Sequence, residues 1–331
     1  MKTSSIFVCI VLTALVSDTL RRTSRAANDA DPKIDFVQED GRLSIKIDDK
    51  PVAVYCYEDE KTTRPYFAHV KTLSGMQVTR NNPPIAGQDI VDHDAIHPGI
   101  WMSFGDISGS DYWRNKAKVR QVNFTKLLQG GAGHGSFAVR NQYMKENDPT
   151  QVLCEEDAHY AVVVCEGGYL LRWDSTFSSK NEIKFGDQEE MGIGFRVATP
   201  LRVGASGPPS VPAGNGKITN SAGAKNEKEV WGNTAEWCDY SGTIDGQPVG
   251  MTILCHPDNF RPSWFHARDY GLLEANPFGR QAFGKGEKSS VTVRPGEKLR
   301  LRYGIFVHSG ADPSIADLKA RFEEYVQLAG R

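Results

Sequence analysis

Residues 33–58 read KIDFVQEDGRLSIKIDDKPVAVYCYE. Apolar and polar positions alternate through Leu43-Ser44-Ile45-Lys46-Ile47, and turn-forming residues stand at Asp40-Gly41 and around Asp48–Pro51. A period of two puts alternate side chains on opposite faces of an extended strand, so this stretch predicts consecutive antiparallel strands joined by tight turns. Segments 116–128 and 136–145 predict strands flanking a Gly130–Gly135 turn. Segments 151–166 and 169–178 predict a hairpin about Gly167-Gly168, and 191–203 a further strand. The pattern continues through 231–240, 249–256, 289–293 and 298–308, whereas 204–228, rich in Gly, Pro, Ser, Ala and Asn, predicts a long surface excursion.

Only 312–330 has clear helical periodicity. Asp312 is placed to cap it, Pro313 suits its first turn, and Ile315, Leu318, Phe322, Tyr325 and Val326 recur on one stripe. The 331 residues include 32 Gly and 17 Pro, which suits many short strands and turns. The expected fold is therefore all-β: one large antiparallel β-sandwich over residues 28–331 with one C-terminal α-helix.

The formal net charge is −2 with both signs interspersed, so nothing marks a nucleic-acid-binding face. The apolar run Ile6–Val16 is too short to span a membrane and fits the core of a secretory signal. Residues 1–27 are read as a signal and processing region, although Arg21, Arg22 and Arg25 outnumber Lys2 on the other flank. The expected location is secreted or periplasmic, with no membrane contact after processing. Loss of Cys9 leaves Cys56, Cys154, Cys165, Cys238 and Cys255, an odd number without CxxC spacing. They read as small buried hydrophobes, with one disulfide as the alternative.

Two stretches carry the candidate chemistry. Residues 92–114, DHDAIHPGIWMSFGDISGSDYWR, gather two His, two Trp and four Asp around a short apolar strand. In residues 263–279, SWFHARDYGLLEANPFG, an extended backbone would align Trp264, His266, Arg268 and Tyr270 on one face. Such a face is costly to bury and useful in a pocket. His97 and His266 are the first candidates for proton transfer, with Asp106, Glu190 or Asp269 as partners. Trp101, Trp113, Trp264 and Tyr270 can stack on the apolar face of a ligand, while Arg64, His93, Arg268 and Asn276 can bond its hydroxyls or a carboxylate. The bland alternative is that His and Asp hold turns, Arg and carboxylate tie strands together, and Trp fills the core. The expectation is that both stretches converge on one pocket.

The motifs RPYF (64–67), SGMQVTRNNPP (74–84), DH…HPGIW (92–101), GDISGSDYW (105–113) and WFHARDYGLLEANPFG (264–279) together resemble the secreted bacterial family often labelled PmoA-like. A DHPHHxG-type run of that family stands here as Asp92-His93-Asp94-Ala95-Ile96-His97-Pro98-Gly99, with one His position replaced. The resemblance implies a galactose-mutarotase-like super-sandwich and a place beside sugar-catabolism enzymes. A membrane-embedded oxygenase subunit is not implied, because no later run could span. The leading reading is a carbohydrate-active enzyme of hydrolase, lyase or epimerase type acting on a sugar or oligosaccharide. The alternatives are a non-catalytic sugar-binding sandwich, or a metalloprotein using His93, His97 and His266 with a carboxylate. No other cofactor is expected.

Overall fold

Hairpins generate most of the architecture. The computed structural model describes residues 31–330, so the apolar N-terminal run and its processing region lie outside the described residues. The opening stretch forms β1 (Lys33–Glu39), β2 (Arg42–Ile47) and β3 (Lys50–Cys56), as its alternation predicts. β4 (Tyr66–Ala68), β5 (Ile100–Phe104), β6 (Val119–Gln129), β7 (Gly131–Ala132), β8 (His134–Met144), β9 (Val152–Cys165) and β10 (Gly168–Ser178) follow. β11 (Ile183–Phe185), β12 (Met191–Arg196), β13 (Lys217–Asn220), the short α1 (Asn226–Val230), β14 (Trp237–Ile244) and β15 (Gln247–Cys255) come next. β16 (Trp264–Arg268), β17 (Leu272–Asn276), β18 (Val291–Val293), β19 (Leu299–Ser309) and α2 (Ile315–Ala329) complete the order.

A nine-stranded sheet has the order β16-β17-β12-β5-β4-β3-β2-β1-β7, and an eight-stranded sheet the order β13-β14-β15-β19-β10-β9-β8-β6. All pairings between these strands are antiparallel. The inward faces meet in one core, where Tyr55 packs on Tyr160 at 5.2 Å and Phe67 on Trp173 at 5.5 Å between ring centroids. Each such buried side chain is worth about 1.5–3 kcal/mol relative to exposure. Part of the outer face of the eight-stranded sheet is closed by α2, whose Leu318, Phe322 and Tyr325 cover Leu170, Trp237, Leu254 and Phe306.

The departures from expectation are local. Ser314, not Asp312, caps α2: its hydroxyl accepts from the Asp317 amide, and the Asp317 carboxylate accepts from the Ser314 amide. Asp312 pairs instead with Lys217, and Ile315 is exposed rather than on the buried stripe. The excursion at 204–228 contains β13, which pairs with β14, and also the start of α1. Residues 231–236 lie outside any strand, and a 3-10 turn at Thr199–Leu201, with Pro200 inside it, ends the extended run after β12. The five cysteines among the described residues are free, so the alternative of a disulfide between them does not hold.

Candidate functional site

The outer face of the nine-stranded sheet, across β5, β12, β17 and β16, carries the polar groups. Strand register places Trp101, Gly194, Glu274 and His266 in one cross-strand row. Their sequence neighbours Ile100, Ile193, Phe195, Leu273, Ala275, Phe265 and Ala267 point into the core, which fixes this row on the opposite side. Both outward positions of β12 between Met191 and Phe195 are glycines. A Cβ on Gly194 would lie 3.4 Å from the Trp101 ring and 3.3 Å from Glu274 Cβ, so the absent side chain is what lets the indole lie over β12. Trp101 Nε1, Ser103 Oγ and His266 Nε2 are buried on this face without a hydrogen-bond partner among the described residues. Such atoms are uncommon, and each marks a place where a polar group is wanted.

Two buried arginines hold the loop that leads into β5. Arg80 donates to the carbonyls of Ile90, Asp92, His93 and His97 and to Asp92 Oδ1. Arg196 on β12 donates to Asp92 Oδ1 at 2.8 Å and to His97 Nδ1 at 3.2 Å. A guanidinium has no acceptor, so His97 Nδ1 must accept and its proton sits on Nε2. Burial, reinforced by Arg196, His93 and Arg80, keeps this imidazole neutral. His97 is stacked on Trp101 at 5.1 Å and anchors the loop. Asp92 is different. Burial would raise its pKa, but the His93 hydrogen bond and the charges of Arg196 and Arg80 outweigh it and hold the carboxyl at about 2.

His93 projects to solvent from a residue with φ of 47°, and its Nδ1 lies 3.1 Å from Asp92 Oδ2. Its ring also stacks on Tyr270 at 6.5 Å, while Arg196 sits 4.4 Å over the Tyr270 ring. Thus the two sequence stretches do meet, through His93, Arg196 and Tyr270. Beside them opens a cleft of about 540 Å³ whose polar lining includes Asp92, Glu227, Asp269 and Tyr270, with Val91 and Pro208 among its apolar walls.

The second polar system lies along β16 and β17. Glu274 is fully buried; its Oε1 accepts from the Met191 amide at 2.6 Å and its Oε2 lies 3.2 Å from His266 Nδ1. Burial, with Glu190 and Glu189 nearby, pushes the Glu274 carboxyl well up. Burial and then Arg268 push His266 down to about 3. The pair is therefore a neutral one, with the carboxyl proton directed at Nδ1 and the imidazole proton on Nε2. That proton faces Glu189 Oε2 at 3.5 Å, too far for a good hydrogen bond. Glu189 is half-exposed, and burial together with Glu190 raises its pKa against the pull of Arg268. Arg268 links this line to the cleft wall by pairing with Glu189 at 3.1 Å and Glu227 at 2.9 Å.

Several candidates have other work. Arg64 is buried and donates to the carbonyls of Tyr112, Trp113 and Ile96 and to Asn115, so it clamps two loops and grips no ligand. Asp106 accepts from the Gly109 amide at 2.8 Å and holds a turn. Asn276 is fully buried, with its amide bonded to the carbonyls of Gln188 and Glu189 and its oxygen to the amides of Phe278 and Gly279. It fixes the 188–190 segment over β17. Glu190 pairs with Arg114, and Asp269 accepts from the Glu227 amide while lining the cleft. Trp101, Trp113 and Trp264 are buried and offer no open stacking face. His97 and His266 do not share a cleft: His266 is on β16 at the sheet edge and His97 precedes β5, three strands away. Among the described residues no three His, Cys, Asp or Glu side chains could hold a metal ion, so His93, His97 and His266 do not form the expected ligand set.

Sequence reading missed Arg80, Arg196, Glu189, Glu227 and Glu274. A signal existed for two of them. MGIGFR places Gly192, Gly194 and Arg196 on one strand face, and LLEAN places Glu274 directly between apolar Leu273 and Ala275.

Residues 42–323 match the model of a family of unknown function, DUF6807. The chain belongs to that family. No curated protein matches its sequence. Among solved structures it is similar to a TPR-domain containing protein from Parabacteroides distasonis, with 12% identity, a TM-score of 0.40 and coverage of 83% of this chain and 48% of that one. It is also similar to the GH36 α-galactosidase AgaA from Geobacillus stearothermophilus, with 9% identity, a TM-score of 0.38 and coverage of 85% and 41%. A galactose mutarotase-like protein from Lactobacillus casei gives 10% identity, a TM-score of 0.36 and coverage of 83% and 100%. The chain thus spans less than half of the first two, and likenesses at this level carry nothing about activity. Among the described residues no helix is long and apolar enough to cross a membrane.

Proposed function

We propose that this DUF6807 member is a secreted carbohydrate-active protein that seats a sugar or short oligosaccharide in the Tyr270 cleft and acts on it by acid–base chemistry. The observation that carries the reading is His93, hydrogen-bonded to Asp92 and stacked on Tyr270, the two residues that themselves line the cleft. Tyr270 supplies an aromatic surface for an apolar sugar face, and Glu227 and Asp269 supply acceptors for hydroxyls. His93 is the proton-transfer group. Asp92, kept ionised by two arginines, accepts from its Nδ1 and so leaves Nε2 to take or give a proton. The Glu274–His266–Glu189 line is a second proton-handling element, joined to the cleft wall through Arg268. The motif resemblance to the PmoA-like family supports the sugar class, and the Ile6–Val16 run supports export.

The test is calorimetry and turnover assays against a panel of neutral and acidic mono- and oligosaccharides. Tyr270→Ala should weaken binding about tenfold. His93→Ala should retain binding and lose at least about a hundredfold in turnover. Binding and turnover that both variants leave untouched would remove the cleft from consideration.

A further inference from the structure

The outer face of the eight-stranded sheet holds a second depression, far in character from the first. It is an open trough of about 550 Å³ beside the region that α2 covers. Four cations line it, Lys126, Arg140, Lys298 and Arg300, against two carboxylates, Asp157 and Asp174. This excess of positive charge sits on a chain whose formal net charge is −2.

Strand register explains the concentration. Lys126 pairs with Ala138, Ala138 with His159 and His159 with Asp174, giving one cross-strand row. Arg140 pairs with Asp157, Asp157 with Thr176 and Thr176 with Arg300, giving the adjacent row. Small Ala138 and Thr176 floor the trough where long side chains would otherwise fill it. The two guanidiniums are held side-on: Arg140 Nε and Nη2 donate to Asp157, and Arg300 Nε and Nη2 donate to Asp174. Each carboxylate thereby fixes its arginine in one orientation and leaves the Nη1 end free. Three strand spacings separate the two arginines, roughly 14 Å between backbones. Lys126 and Lys298 are exposed and have no carboxylate partner among the described residues. The local field is felt by His159, whose protonated form is opposed first by burial and then by Lys126, only partly relieved by Asp174.

We propose that this trough docks an acidic polysaccharide, with Arg140 and Arg300 as fixed anion contacts and Lys126 and Lys298 as mobile ones. An acidic polysaccharide supplies both features that the lining can use. Its sulfate or carboxylate groups meet the cations, and its hydroxyls donate to the remaining lone pairs of Asp157 and Asp174 and bond to Thr125 and Thr176. A nucleic acid fits less well. No Phe, Tyr or Trp lines the trough to stack bases. The lining also lacks a large apolar side chain that could enter a lipid surface. The proposal is independent of the Tyr270 cleft, which lies on the other sheet.

The experiment is equilibrium binding of the full chain to immobilised dextran sulfate and polygalacturonate, with neutral dextran and double-stranded DNA as comparison probes. Binding to both acidic polymers is expected at about 0.05 M NaCl, with loss by about 0.5 M, and none to neutral dextran. The double variant Lys126→Ala/Lys298→Ala should weaken it about tenfold at unchanged melting temperature. Arg140→Gln/Arg300→Gln should weaken it further. The trough is not a polysaccharide site if neither acidic polymer binds, or if all four substitutions leave binding unchanged. Equal affinity for DNA, lost in parallel in these variants, also overturns the proposal, because it reveals a general polyanion patch.

Discussion

The two outer faces of the sandwich treat charge in opposite ways. Beside the cleft on the nine-stranded sheet, two arginines are buried and spent internally. Arg80 and Arg196 are almost wholly enclosed, and their donors go to loop carbonyls, Asp92 and His97. What reaches the cleft surface is acidic and aromatic. On the eight-stranded sheet Arg140 and Arg300 stand about half exposed, and lysines are left unpaired at the rim. The first arrangement fixes geometry, because a buried charge tolerates only one set of partners. The second creates a field, which is screened by salt and tolerant of what occupies it. The same side chain, arginine, is a structural part on one face and a contact surface on the other, and burial decides which.

The most severe way to break this contrast is Arg196→Ala. It leaves Asp92 with one arginine and removes the donor to His97 Nδ1 in a buried setting. A loss of about 3–5 kcal/mol in urea unfolding is expected. Arg300→Ala, on the exposed face, should cost less than about 1 kcal/mol. Equal losses would mean that burial does not separate the two faces.

A second test uses pH. In the folded chain Glu274 and His266 are both neutral, whereas the unfolded chain ionises the acid above about 4.5 and protonates the histidine below about 6.5. Between these values folded and unfolded forms bind the same number of protons at this pair, so its contribution is flat. Below pH 4.5 the unfolded chain holds one more proton, and stability falls as pH drops toward 3. Above pH 6.5 the folded chain holds one more, and stability falls as pH rises. Each limb should approach a slope of about 1.4 kcal/mol per pH unit. Asp92, held at about 2, adds to the acid limb between roughly pH 4 and 2. Glu274→Gln should abolish the alkaline limb in urea midpoints measured across pH, and persistence of that limb would place the proton elsewhere. The exposed ion pairs of the trough should contribute little to either limb.

The mildest perturbation sharpens the comparison by shape. Gly194→Ala pushes a methyl against the Trp101 ring, Glu274 Cβ and the Leu273 carbonyl, the last at 3.2 Å. A cost of about 1 kcal/mol is expected in thermal unfolding. Ala138→Gly, on the trough floor, should act only through backbone freedom at a comparable or smaller cost.

The sandwich was legible because strands with one open face, such as β2 and the second half of β10, keep a clear alternation. Leu43, Ile45 and Ile47 are buried, as a period of two requires. The face shared by Trp264, His266 and Arg268 was legible for the same reason. What sequence could not supply was partnership across strands. The meeting of His266 with Glu274, or of Arg196 with Asp92, is set by hairpin register and sheet order, which local pattern does not encode. Arg64 looked like a ligand contact because its residue type is the same whether it holds a sugar or two loop carbonyls. The trough was hidden for a related reason: a near-neutral total charge conceals cations that three separate strands or their flanks bring together.

The row Trp101, Gly194, Glu274 and His266 is assembled from stretches that leave the ribosome at different times. β5 is made early, but its partner β12 and the pair β17 and β16 come much later. While β5 waits, its ladder is open on one side and its apolar side chains lack a cover, a hazard for pairing with the wrong chain. Such long-range pairing also slows folding. A nascent chain stalled before β12 therefore presents an adhesive edge and no site, and chaperones that shield extended apolar strands are expected to engage it there.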